Sequence, residues 1–253
     1  MRRNDCTSDK HKSVAAFSSP KDVAIISAVW ARRGCRRDDE NPLCAPEIEP
    51  HCLSNGRLGR RLGAALLCDE RLMDIFDLET LKSTIQNGWH PEFLFFWGHT
   101  AKDARIGKHV LSQWWPAAFC VGGHRYATAE HYMMAEKAKL FGDNQVFTAI
   151  LAAESPSKAK TLGRKVRNFD EEIWSNHRFD IAVSGNTAKF EQNTELGDWL
   201  LGTGNQVLVE ASPRDKIWGI GLAADDERAL DPKTWRGLNL LGFALMRART
   251  ALQ

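Results

Sequence analysis

The sequence has no uninterrupted apolar run approaching the roughly 18 residues that a membrane span needs. Its N-terminus also shows no apolar stretch ahead of a cleavage site, so no signal peptide is expected. Both absences point to a soluble chain, with the cytoplasm as its expected compartment. An excess of one charge is missing too: 34 Lys and Arg stand against 32 Asp and Glu, a net charge of +2. No long basic run marks a duplex-binding stripe, although a local patch assembled by folding stays open. The six cysteines (Cys6, Cys35, Cys44, Cys52, Cys68 and Cys120) form no C-x-x-C pair and fit no zinc or secreted framework. They are expected to be free thiols in a reducing compartment. The eight histidines contain no H-x-x-x-H or H-E-x-x-H spacing, which speaks against a protein-ligated metal. A hydrolytic serine has no G-x-S-x-G to sit in.

What is present suits a globular enzyme-sized domain. Hydrophobic residues make up 43% and charged residues 26% of 253, enough chain to bury a core without staples. Residues 1–50 carry nine basic and eight acidic residues with prolines at 42, 46 and 50, and read as a variable, weakly structured extension. Within it, 23–30 alone has the makings of a short strand or helix. Residues 51–90 read as a helical segment packed on or linked to the main domain. Leu62, Ala65, Leu66, Met73, Phe76 and Leu81 recur there at three-to-four spacing, and Asn87-Gly88 breaks the pattern.

The main domain is expected over 91–253. Phe93 to Trp97 is a dense strand candidate ending at Gly98. Residues 114–121 suggest a short edge strand broken by Pro116. Thr128 is placed to cap a helix over 129–140. Further helices are expected over 145–153, 157–165 after Ser155-Pro156, 170–182 and 187–201, and one from Asn239 onward. A strand fits 206–210. The predicted fold class is α+β, a helix-rich compact single domain with a small sheet plus the N-terminal extension, rather than alternating βαβ units.

Two windows carry chemistry. On the helix over 129–140, Glu130 and Lys137 lie two turns apart on nearly one face with Met133 and Met134 between them. His131 falls on a neighbouring line. This face either approaches a pocket or is a solvated Glu/Lys face, and the window alone leaves both open. In Glu210 to Gly221, a strand candidate ends in a carboxylate, followed by a Pro turn, an Arg-Asp-Lys cluster and Trp218 with two glycines. Trp218 suits stacking on a planar base, and glycines allow close backbone approach. The bland alternative is a surface loop packed by one tryptophan. Lys189 is either solvated or a phosphate contact. Arg236 suits a bidentate phosphate clamp or a carboxylate pair, and Asn239 is readily explained as an N-cap.

These pieces, in order, resemble the NADAR family. The resemblance rests on Leu111-Ser112-Gln113-Trp114, Tyr126 to His131, Lys137, Gly163-Arg164, Trp174, Lys189-Phe190, Leu200 to Gly204, Leu208-Val209-Glu210, Asp215 to Gly221 and Trp235 to Arg249. It covers roughly 93–250. Gln113 stands where an asparagine is common in the family, and the first ninety residues have no match. The resemblance implies hydrolysis of a C–N bond at ribose C1′, with no cofactor. Its implied substrate is a ribosylated, phosphorylated heterocycle such as a riboflavin biosynthesis intermediate. Alternatives are ADP-ribosylated guanine, free or in DNA, and a non-catalytic ADP-ribose or nucleotide binding module. Nucleic acid would then be met only as an ADP-ribosylated substrate. Glu130 becomes the first choice for activating water, with Asp215 or Glu210 assisting, and Lys137 an amine that can attack ring-opened ribose. Phe96, Trp97 and Trp218 are candidate stacking residues, Arg125, Lys189 and Arg236 candidate phosphate contacts, and His131 a further candidate contact.

Overall fold

A computed structural model of the chain describes residues 75–101 and 105–253. The expectations for residues 1–50, the 23–30 segment and most of the 51–90 segment lie outside the described residues. The first described helix, α1 (Leu78–Gln86), starts at Asp77, whose side chain accepts from Thr80 N–H. Ile75, Leu81 and, partly, Leu78, Ile85 and Trp89 pack into the same apolar cluster as the strands.

Among the described residues, four strands form two small two-stranded sheets. Strand β1 (Phe93–Phe96) pairs in parallel with β4 (Val207–Glu210), and β2 (Phe119–Val121) pairs antiparallel with β3 (His124–Tyr126). Between β3 and β4 run five helices: α2 (Ala129–Leu140), α3 (Asn144–Leu151), α4 (Pro156–Gly163), α5 (Glu171–Gln192) and α6 (Thr194–Leu201). The chain closes with α7 (Leu240–Ala251). The helix-rich α+β class is therefore observed. Among the described residues, no helix is long and apolar enough to cross a membrane.

Local chemistry explains most boundaries. Thr128, Asp143, Ser155 and Asp170 each cap a helix with a side-chain oxygen, and Pro156 opens α4 where its missing N–H costs nothing. The break expected between 182 and 187 does not occur. Gly185 instead lies against the Tyr132 ring, where a Cβ would come within 2.5 Å of Cδ1, and Asn186 donates its side-chain amide to Ala182 O inside the helix. Ser-Gly-Asn is thus a close helix crossing, not a loop. The helix stops at Asn193, which bonds Lys189 O and Ala118 O.

Asn239 corrects a second expectation. It precedes α7 but makes no side-chain cap; its backbone is left-handed, with φ 54°. Its amide donates to Leu208 O at 2.9 Å and its carbonyl accepts from Glu210 N at 2.9 Å. The residue clamps β4 from the side. Gly242 sits directly on the Leu208 carbonyl and Gly237 on the backbone of Lys216 and Gly219, so no side chain fits at either position. Backbone bonds from Leu238, Asn239, Leu240 and Leu241 to Lys216, Gly219, Ile217 and Trp218 complete this seam.

Cys120, on β2, is disulfide-bonded, against the expectation of free thiols, and the other five cysteines lie outside the described residues. The apolar interior divides into two clusters. One surrounds β1, β4 and α7, the other joins α2 to Phe119, Tyr126 and Trp174, and Trp218 packs against both.

Candidate active site

A cavity of about 480 Å³ opens along the seam between the two clusters. That is within the usual size of small-molecule pockets. The parallel register sets Phe96 beside Glu210, so the carboxyl ends of β1 and β4 reach the cavity together. Trp97, Gly98 and His99 follow one strand, and Glu210 ends the other, with Ser212, Asp215 and Trp218 after it. Helix α2 supplies Glu130, Met133, Met134 and Lys137, and α4 adds Lys160, Gly163 and Arg164 at its end. The loop of residues 112–114 completes the wall.

Glu130 lies in the first turn of α2 and is only 3% exposed. The Trp114 indole N–H donates to its Oε2 at 3.3 Å, while its Oε1 is buried without a partner. Burial pushes its carboxyl above the ordinary range, the Asp215 charge adds to the rise, and Lys160, Trp114 and Arg164 oppose it. Glu210 is pushed up to about 8, chiefly by burial, then by the Asp215 charge, against a lowering from Lys160. Two carboxyls with raised pKa values therefore share one cavity with Asp215. Asp215 Oδ1 accepts from the N–H groups of Ile217 and Trp218, which turns the chain and fixes the Trp218 position.

Lys137 faces the same space from two turns further along α2. Its ammonium lies 3.9 Å from the Phe169 ring centroid and 5.4 Å from that of Trp174. Burial lowers its pKa, and Glu171 partly opposes this. The pocket-facing alternative for the Glu130/Lys137 helix face is the one observed.

The structure thus brings Glu130, Lys137, Glu210, Asp215, Trp97 and Trp218 to one cavity, with Trp97 at its mouth at 61% exposure. The remaining candidates do not line it. Phe96 alternates inward from Trp97 and is core. His131 is buried beside the cap, its Nδ1 meeting Thr128 Oγ1 at 2.8 Å and its Nε2 meeting Ala153 O at 3.1 Å; burial lowers its pKa. Arg125 is exposed on β3, and Arg236 is exposed with its backbone N–H bonded to Ile220 O.

Lys189 is neither solvated nor on the cavity wall. It is wholly buried, and its ammonium donates to Val110 O at 2.6 Å and Ser112 O at 3.0 Å. One turn earlier on α5, Asn186 accepts from the Gln113 side chain at 2.8 Å. Gln113 O in turn accepts from Glu130 N–H. Helix α5 therefore holds the loop, and the loop holds both ends of Glu130. Trp114, Lys160 and His99 were not singled out as site residues by sequence reasoning, since nothing in their local pattern sets them apart from surface or core. Among the described residues, no group of three or more His, Cys, Asp or Glu is arranged to hold a metal ion.

The NADAR domain matches residues 95–253 of the chain. The chain belongs to the NADAR family. The chain is 47% identical over 163 residues to N-glycosidase R617 of Acanthamoeba polyphaga mimivirus, an overlap of 62% of this chain and 95% of that protein. It is 41% identical over 130 residues to Protein irg-1 of Caenorhabditis elegans, covering 51% of this chain and 61% of that relative, less than two thirds of its length. The NMR structure of the E. coli protein YbiA superposes with a TM-score of 0.52 at 26% identity, over 68% of this chain and 90% of that one. The NADAR match contains every residue that lines the cavity.

Proposed function

We propose that this chain hydrolyses the N-glycosidic bond of a ribosylated, phosphorylated heterocycle. The observation that carries the reading is the sharing of one cavity by Glu130 and Glu210, both shifted toward protonation, beside Asp215 and stacking tryptophans. Overlap with a relative named N-glycosidase over 95% of its length supports the same bond class.

Cleavage of the C1′–N bond leaves positive charge on the ribose and an electron pair on the departing nitrogen. A proton must reach that nitrogen, and water must add at C1′ while losing a proton. Glu210, protonated up to about pH 8, suits the acid role. Glu130 in its ionised form, aligned by Trp114, suits the base role and stabilises the cationic sugar. Trp97, Trp114 and Trp218 offer faces for the heterocycle. A second reading is favoured by Lys137, a cavity amine whose lowered pKa increases its free-base fraction and its power to attack ring-opened ribose at C1′.

The test is base release from a phosphorylated ribosylamino-pyrimidine and from ADP-ribosyl-guanine, with Glu130→Gln beside the wild type. Turnover of one substrate, abolished in a folded Glu130→Gln variant, is the expected result. Near-full activity of that variant removes Glu130 from the base role. Tight calorimetric binding of ADP-ribose with no release from either substrate identifies a binding module and overturns the proposal.

A further inference from the structure

Three cationic side chains line the cavity: Lys137, Lys160 and Arg164. Lys137 has its aromatic neighbours. Neither the Lys160 nor the Arg164 side chain has an ion-pair or hydrogen-bond partner among the described residues. Arg167, Arg178 and Arg228, in contrast, each close an ion pair. The ring of Trp114 is the aromatic contact of Lys160, at 5.9 Å.

The two residues stand one turn apart at the end of α4, so their side chains share a face. Gly163, between them, lies against the Met134 sulfur where no Cβ fits, which draws the end of α4 onto α2 and toward Glu130. Lys160 acts electrostatically on both Glu130 and Glu210, and Arg164 on Glu130. Glu210, pushed up to about 8, supplies little countercharge to the pair near neutral pH. The cations assigned to phosphate from sequence, Arg125, Lys189 and Arg236, lie off the cavity wall.

We propose that Lys160 and Arg164 form an anion subsite that receives a phosphoryl group of the bound molecule at the α4 wall of the cavity. A half-buried ammonium supplies a point charge and an exposed guanidinium a fork of donors, a combination suited to phosphate oxygens. The inference refines the proposed reaction by locating the charged end of its substrate, and it is read out without turnover.

The experiment is calorimetric binding of ribose 5-phosphate and of ADP-ribose, with ribose as the neutral control, to the full chain and to Lys160→Gln, Arg164→Gln and Lys160→Arg. Loss of a charge-assisted contact is expected to weaken a phosphorylated probe by roughly tenfold or more for Lys160→Gln, and by less for the exposed Arg164→Gln. Lys160→Arg should restore most of the loss. A loss confined to ribose 5-phosphate assigns a phosphomonoester to the subsite; one confined to ADP-ribose assigns a diphosphate. Wild-type protein that binds neither probe, or variants that bind both as the wild type does, overturn the subsite. So does a Lys160→Gln variant that only displaces the pH–rate profile, since Lys160 is then a counter-ion of the carboxyls. Absence of base release from either substrate would sink the hydrolytic assignment and leave these binding results standing.

Discussion

Replacing Lys189 by Met removes a wholly buried ammonium and its two hydrogen bonds while keeping most of the side-chain volume. Two opposed effects follow. The carbonyls of Val110 and Ser112 lose their donor, at a cost of roughly 1–3 kcal/mol each where they are left unsatisfied. The penalty for burying a charge disappears as well. Burial brings the Lys189 pKa down from 10.5 to about 7. Between those values the unfolded chain binds a proton that the folded chain has released. Stability of the wild type therefore gains from this group as pH rises from about 7 to 10.5, by at most ~1.4 kcal/mol per pH unit. Met cannot make that gain. The stability deficit of Lys189→Met should be small near pH 6–7, where relief of the buried charge offsets the orphaned carbonyls, and should widen by several kcal/mol toward pH 10. Urea unfolding of both proteins at half-unit pH steps measures the difference directly, and other titrating groups cancel in it. A deficit that stays constant from pH 6 to 10 would refute the assignment of Lys189 as an unpaired buried ammonium.

Three further outcomes are expected. Because Glu210 is protonated below about pH 8, kcat/KM should fall as pH rises through that value, and Glu210→Gln should remove that limb; a limb unchanged in the variant excludes Glu210 as the acid. Gly242→Ala forces a methyl group onto the Leu208 carbonyl and should cost about 1–3 kcal/mol or more, read as a lowered Tm, whereas an unchanged Tm means that α7 can move off β4 at no cost. Borohydride added during turnover should leave a covalent mass increment on the wild type and none on Lys137→Met if the imine route operates, and an unmodified wild type restricts the reaction to direct water attack.

Elements with strong local signals were legible from sequence. The four capped helices, the Phe93 strand and the strand ending at Glu210 follow from cap residues and apolar runs that act over a few positions. The failures share a cause. Ser184-Gly185-Asn186 looks like a break because glycine disfavours helix in isolation, yet packing against Tyr132 requires it. Asn239 looks like an N-cap because that is its local preference, whereas its bonds go to a strand 29 and 31 residues away in the chain. Lys189 looks like a surface or ligand-facing cation because lysine is rarely buried, and only the loop of residues 110–112 provides the carbonyls that hold it there.

The sequence by itself determined the family, the α+β class and the order of the motifs, because helix period, caps and the ordered match over roughly 93–250 are properties of the chain read in line. It also singled out Glu130, Lys137, Glu210 and Asp215. Tertiary structure alone decided that these four meet across one cavity, that Trp114, Lys160 and Arg164 join them, and that Lys189, His131 and Phe96 stand behind the wall. The reason is physical: a side chain's identity is local, but its burial, its charge state and its neighbours are set by segments far apart in sequence. Glu130 becomes a candidate base only when the loop anchored by Lys189 brings Trp114 onto it and closes it off from water.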